Sequence, residues 1–206
     1  MDFENKYDYV DSFLEGFAAV EKDGKWGLIN KTGKEVIPCV YDYVSRFSEG
    51  FAEVNKDRKC GFVDKTGKEI VPCVYDRVDY FSKGLAAVKK DGKWGLIDKT
   101  GKEVAPCVYD WVGKFSEGLA GVEKDGKWGF IDKTGKEVIP CVYDSVTRFS
   151  EGFAKVKKDG KDGYIDKEGK EYFDKAAKEI DKYFRKVGKL NKKKRKLVEK
   201  LDEERE

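Results

Sequence analysis

Trp26, Cys60, Trp94, Trp128 and Asp162 stand 34 positions apart, and each is followed by glycine. The same interval separates Tyr7, Tyr41, Tyr75, Tyr109 and Tyr143, and again Phe13, Phe47, Phe81, Phe115 and Phe149. A chain with a fixed period of this length builds one supersecondary unit several times and buries its apolar surface by stacking neighbours. Five such units account for residues 7 to about 172. The repetition also points away from catalysis, which needs one site.

A period of 34 is shared by helix-pair repeats, but those need two helices of a dozen or more residues per unit. Here a glycine or proline falls within every ten residues or so, which breaks helices of that length. The letters read as strands instead. In FAAVEKDGKWGLIN, apolar Phe17, Ala18 and Val20 precede Asp23-Gly24, a pair suited to the positive φ of a type I′ hairpin turn, and Trp26, Leu28 and Ile29 follow it. NKTGKEVIP turns through Gly33 into Val36 and Ile37, and Pro38, which has no N–H for a ladder, is expected to stop that strand. CVYDYVSRFSEG supplies core candidates in Val40, Tyr41, Val44 and Phe47. Each unit therefore reads as about three short strands plus an extended connector. A single hairpin is marginal in water, so the aromatic residues at constant phase are assigned to packing between units. Trp26, Trp94 and Trp128 with Gly27, Gly95 and Gly129 are the structural signature, and burying one such large ring contributes roughly 2–3 kcal/mol.

The repeated DGKWGLIDKTGKEVIP, followed by YD, F and EG at fixed offsets, resembles the WG repeat, also called the WG β-repeat. The resemblance spans most of the chain and departs from the pattern at Cys60 and Asp162, which occupy the tryptophan phase. It implies a β-rich repeat module, found mostly in bacterial proteins, that binds other proteins and has no shared catalytic residues.

The expected fold is mainly β: tandem hairpin or meander repeats in an open, solenoid-like array over residues 1–171, with a helical segment over 172–206 as its cap. Phe173, Ala176, Ala177, Ile180, Phe184 and Val187 have helical spacing, and Leu190, Leu197, Val198 and Leu201 read as a second short helix after Gly188. The alternative is a closed five-bladed, propeller-like ring in which the partial unit at the start completes the last blade.

Several chemistries are excluded by what the repeat contains. With no histidine there is no Ser-His-Asp or Cys-His pair and no mixed Cys/His zinc site. DKTGKE at 64, 98 and 132 looks like an aspartyl-phosphate motif, yet a nucleophile has no reason to recur at hairpin turns. Gly95 to Gly101 has five intervening residues where a phosphate-binding loop has four, and Glu103 follows Lys102 in place of Ser or Thr. Cys39, Cys73, Cys107 and Cys141 keep the period as small packing residues would, while Cys60 stands alone. No cofactor, metal or small-molecule substrate is expected, and the chain is read as non-enzymatic. The start, MDFENKYDYVDSFLEG, is acidic where a secretory signal would be basic and then apolar, so a soluble, cytoplasmic protein with reduced thiols and no membrane association is expected.

Two places remain for function. Positions that are constant between units pack, and those that vary are free to meet a partner. Tyr43, Arg77 and Trp111 share one varying phase, and Arg46, Tyr80 and Arg148 lie beside it. Tyr, Trp and Arg dominate interface energetics, so these six form the candidate partner-binding strip. The second place is the tail. Residues 172–206 hold thirteen basic and eight acidic side chains, so the excess positive charge of a chain with 43 basic and 40 acidic residues is local to it. Lys189, Lys192, Lys193, Lys194, Arg195 and Lys196 form the cluster that could grip RNA, DNA or an acidic partner. The leading functional expectation is a scaffold that recruits or sterically blocks a partner protein or complex, as bacterial or phage effectors do. The alternatives are nucleic-acid or ribonucleoprotein binding through the tail, and lectin-like ligand binding by a closed propeller.

Overall fold

The computed structural model describes the backbone of residues 6–203 and the side chains of residues 6–189. Five four-stranded antiparallel sheets follow one another, each a meander in chain order, and an α-helix, α1 (Asp174–Glu203), ends the described chain. The first sheet comprises β1 (Tyr9–Val10), β2 (Phe17–Lys22), β3 (Lys25–Asn30) and β4 (Glu35–Tyr41). The set recurs at 34-residue intervals, and the fifth sheet ends in a shortened strand, Glu171–Tyr172. The expected connector is itself partly a strand: Tyr9 pairs with Glu21 and Val10 with Val20 along the sheet edge.

The turns follow from local chemistry. Asp23 and Gly24 both adopt the left-handed region, at φ 52° and 73°, which gives the hairpin the twist of its strands. In the second unit Asp57 is followed by Arg58, which is held at φ 63° in the place of that glycine. At DKTG, the Asp98 carboxylate accepts hydrogen bonds from the Thr100 hydroxyl (2.6 Å), the Thr100 N–H (2.8 Å) and the Lys102 N–H (3.1 Å). Its pKa falls below the ordinary carboxylate value, chiefly through the Thr100 hydroxyl. The aspartates in this motif thus close turns. A second set ties units together. Asp144 accepts from the Lys127 ammonium (2.6 Å) at the hairpin tip of its own unit and from the Gly160 N–H (3.1 Å) at the tip of the next. Asp42, Asp76 and Asp110 likewise bind Lys25, Lys59 and Lys93.

The glycine after tryptophan has a steric reason. A Cβ on Gly95 would lie 2.6 Å from the Ala105 carbonyl oxygen and 2.8 Å from the Cys107 nitrogen, because the neighbouring strand bulges inward there. Pro38 therefore does not stop its strand. It sits inside β4, where the register slips: Trp26 pairs with Tyr41 but Leu28 with Ile37. On an edge strand, at a bulge, the missing N–H removes no ladder bond. The same slip puts Val40 outside the core, 42% exposed, with Val74, Val108 and Val142 exposed at the same phase.

Both faces of an interior sheet are buried. Ala52, Val54 and Val63 pack on Leu28, Ile37 and Tyr41 of the unit before, while Phe62 and Val71 pack on Phe81, Ala86, Val88 and Ile97 of the unit after. Phenylalanine, tyrosine and branched aliphatics fill these interlayers. Trp94 is buried, whereas Trp26 and Trp128 are half-buried at the interlayer margin.

The array is open, and the closed five-bladed ring is not formed. The two faces that a ring would join are already covered. Ala18, Val20 and Ile29 on the first sheet pack with Tyr7 from the partial unit that precedes it. On the fifth sheet Tyr164 stacks on Phe184 of α1, centroids 5.8 Å apart, and donates to Asp181 at 2.7 Å. Burial, then the Asp181 bond, pushes the Tyr164 phenol up to about 12. The cap uses Ala177, Ile180, Phe184 and Val187, while Ala176 is exposed and Phe173 precedes the helix, its ring against Gly163. The expected second helix is the continuation of α1, which runs through Gly188. The side chains of Leu190, Leu197, Val198 and Leu201 lie outside the described residues.

Candidate interaction surface

In each full unit a row of residues crosses the sheet at one end: Arg77 opposite Lys89, Lys89 opposite Trp94, and Trp94 opposite Tyr109 in the third. Side chains directly opposite one another share a face. The varying first position of the row therefore stands beside the constant tryptophan. The Arg77 guanidinium lies 5.9 Å and the Lys89 ammonium 5.8 Å from the Trp94 ring centroid, within cation–π range. Trp111, the varying residue of the next unit, meets Trp94 edge-on at 6.3 Å and remains 51% exposed.

The six strip residues are all exposed, and the structure gathers five of them into two groups. Arg77 and Trp111 flank Trp94 at the third junction. Tyr43, Arg46 and Tyr80 surround a cavity of about 360 Å³ between the first and second sheets. Leu28, Phe17, Trp26 and Phe47 form its apolar wall, and Asp11 pairs with Arg46 at 3.6 Å across its edge. Burial, then the neighbouring Tyr80, raises the Tyr43 pKa. Arg148 is exposed in the connector between the first two strands of the fifth sheet; among the described residues no ion pair or aromatic contact joins it to the other five. Trp26, assigned to packing, also lines the cavity, and Leu28, expected only as an apolar strand residue, lines it too. Its signal was present in the residue series Leu28, Phe62, Leu96, Phe130 and Tyr164 at one phase.

The cysteines are poor nucleophiles. Burial, then the carboxylates of Glu69 and Glu137, pushes the Cys73 and Cys141 thiols up to about 11, so both stay protonated near neutrality. The thiols of Cys39, Cys73, Cys107 and Cys141 face the carbonyls of Val20, Val54, Val88 and Val122 at 3.6–3.9 Å. Of the basic cluster, Lys189 is exposed, and the side chains of Lys192, Lys193, Lys194, Arg195 and Lys196 lie outside the described residues. Among the described residues no helix is long and apolar enough to cross a membrane.

The profile of the "WG containing repeat" family matches residues 6–26, 26–60, 61–94, 94–128 and 128–161. No curated protein matches the chain. Among solved structures it is similar to Hsv2 of Kluyveromyces lactis (10% identity, 77% of this chain and 61% of that one, TM-score 0.37). It is also similar to a eukaryotic initiation factor (11%, 77% and 52%, TM-score 0.40) and to the dihydro-heme d1 dehydrogenase NirN in complex with DHE (17%, 80% and 46%, TM-score 0.39). The chain spans about three fifths of the length of the Hsv2 chain. Likenesses this distant determine nothing about activity.

Proposed function

The chain belongs to the WG-repeat family, and from that premise we propose that it is a non-catalytic scaffold, acting in the cytoplasm, that recruits or sterically blocks a partner protein. The observation that carries this reading is the division of labour within the repeat. Constant positions close turns and clamp hairpins, the interlayers are filled by residues that stay apolar, and the varying polar and aromatic positions Tyr43, Arg46, Arg77, Tyr80, Trp111 and Arg148 are exposed. Tyr43, Arg77 and Trp111 stand on strands and Arg46, Tyr80 and Arg148 on the connectors that follow such strands; a large aromatic ring fixed on a strand loses little entropy on binding, which favours it as an anchor.

The test is partner capture from the native host by the wild-type chain and by the Arg77→Ala/Trp111→Ala double variant, with circular dichroism to confirm folding. Trp111 is half-exposed at a sheet edge, so the double variant is expected to fold and to lose capture. Equal capture by both would remove the strip from the interface. Capture that survives this variant but vanishes on raising salt and on deleting residues 189–206 would transfer binding to the basic tail.

A further inference from the structure

The second and fourth units carry Phe62 and Phe130 where the first carries Leu28. Each of those rings lies 4.8 Å from a ring of the next unit, Phe81 or Phe149, which are 3% and 2% exposed. At the first junction Leu28 is short by a phenyl ring, and Ala19, paired opposite it, adds no bulk. Phe47, at the phase of Phe81, keeps the contact to Phe17 (4.8 Å) that Phe81 makes to Phe51 (4.7 Å), but with Leu28 in place of Phe62 it lacks the second ring and is only half-buried. The cavity opens at that place. The outer contacts differ in the same sense. Glu49 and Glu117 reach across to accept from the turns of the following units, at Lys83 N–H (2.9 Å) and Gly152 N–H (3.1 Å), whereas Glu15 at their phase lines the cavity. At the third junction, where Leu96 is equally short, Trp111 lies against Trp94, while Tyr43 at its phase stands at the cavity mouth.

We propose that the cavity between the first and second sheets is a pocket for an aromatic side chain of a partner protein. The chain itself identifies the occupant, since a phenylalanine ring fills the corresponding space at the second and fourth junctions. Roughly 150 Å³ of apolar cavity suffices for a benzene-sized ring, so about 360 Å³ holds a Phe, Tyr or Trp side chain with the atoms next to it. The mouth favours a polypeptide over a free aromatic molecule. Leu14, Tyr43 and Tyr80 form a collar, 50%, 45% and 55% exposed, that the residues flanking an inserted side chain would cover. Asp11 and Glu15 outnumber Arg46 on the rim, which selects a basic residue beside the aromatic one.

The assignment rests on the scaffold reading and is separable from it. A random peptide library is selected on the immobilised full chain and counter-screened on Leu28→Phe, which copies the second unit, and on Ala19→Glu, which copies Glu53; both variants are checked by thermal melting. Selected peptides should share an aromatic residue, and should weaken on the order of tenfold or more when it is changed to Ala or when the pocket is filled. Peptides without an aromatic residue, equal binding to the folded filled variants, or no selected peptide would overturn the pocket. Peptides insensitive to filling but lost on Arg77→Ala/Trp111→Ala would overturn it and leave the scaffold standing. N-acetyl-phenylalanine amide binding as tightly as the peptides would assign the pocket to free aromatic molecules and overturn the partner-protein assignment.

Discussion

Two glycine-to-alanine changes in the fourth sheet should move stability in opposite directions. A Cβ on Gly129 would stand 2.5 Å from the Ile139 carbonyl oxygen and 2.7 Å from both the Cys141 nitrogen and the Pro140 carbonyl carbon. A relaxed carbon–oxygen contact is about 3.3–3.6 Å, so the strands must part by almost 1 Å. All three obstacles are backbone, in a strand pinned by the pairs Trp128–Tyr143 and Phe130–Ile139, so no rotamer change relieves the clash. Overpacking of this kind costs about 1–3 kcal/mol, and in a chain of this size each kcal/mol lowers Tm by roughly 2–4 °C. Gly121, on the adjacent strand, differs. Its added Cβ meets nothing nearer than Val146 Cγ2 at 3.4 Å, its φ lies outside the left-handed region, and Ala19 and Ala87 occupy the same phase. There alanine should be neutral or stabilising by up to about 1 kcal/mol, because it restricts the unfolded chain. Thermal and urea melts of the two variants beside wild type supply the comparison. A Gly129→Ala variant that melts within a degree of wild type, or a matching loss for Gly121→Ala, would show that the tryptophan-glycine step is not set by backbone approach.

Arg58→Gly should raise stability by about 0.5–1 kcal/mol, since the left-handed conformation costs a non-glycine residue roughly 1–2 kcal/mol and the extra freedom of unfolded glycine returns part of it; an unchanged or lower urea midpoint would refute this. Acid should loosen the array through its aspartates. Lysine hydrogen bonds lower the pKa of Asp42, Asp76, Asp110 and Asp144, and threonine hydroxyls lower those of Asp64, Asp98 and Asp132. Depressed folded values mean that the unfolded chain binds more protons, so this stability is fully present above the unfolded value near 4 and is lost as pH falls through the folded ones. The urea midpoint should be flat from about pH 7 to 5 and drop below about pH 4, and an equal midpoint at neutral and strongly acidic pH would refute the clamp reading.

Whatever depends on one residue and its immediate neighbours was legible in the letters. Asp23-Gly24 announced its turn, the 34-residue phase announced stacking, and the spacing of Ala177, Ile180 and Phe184 announced the cap. Two misreadings share one cause, the two-residue slip between β3 and β4. Alternation predicts facing only while register holds, so beyond the bulge Val40 turns outward and Pro38 sits inside a strand. The two-residue edge strand Tyr9–Val10 is too short to show alternation, and only its pairing with β2 reveals it. Assigning constant positions to packing and varying ones to partners assumes that variation lies on the surface, yet Leu28, Phe62, Leu96 and Phe130 vary while being at most 3% exposed. In stacked sheets a core residue shortened by one ring changes the interlayer margin as much as an exposed substitution does, because close packing leaves no slack to absorb the lost volume. Individuality in such an array can therefore be written from inside, by what a unit omits.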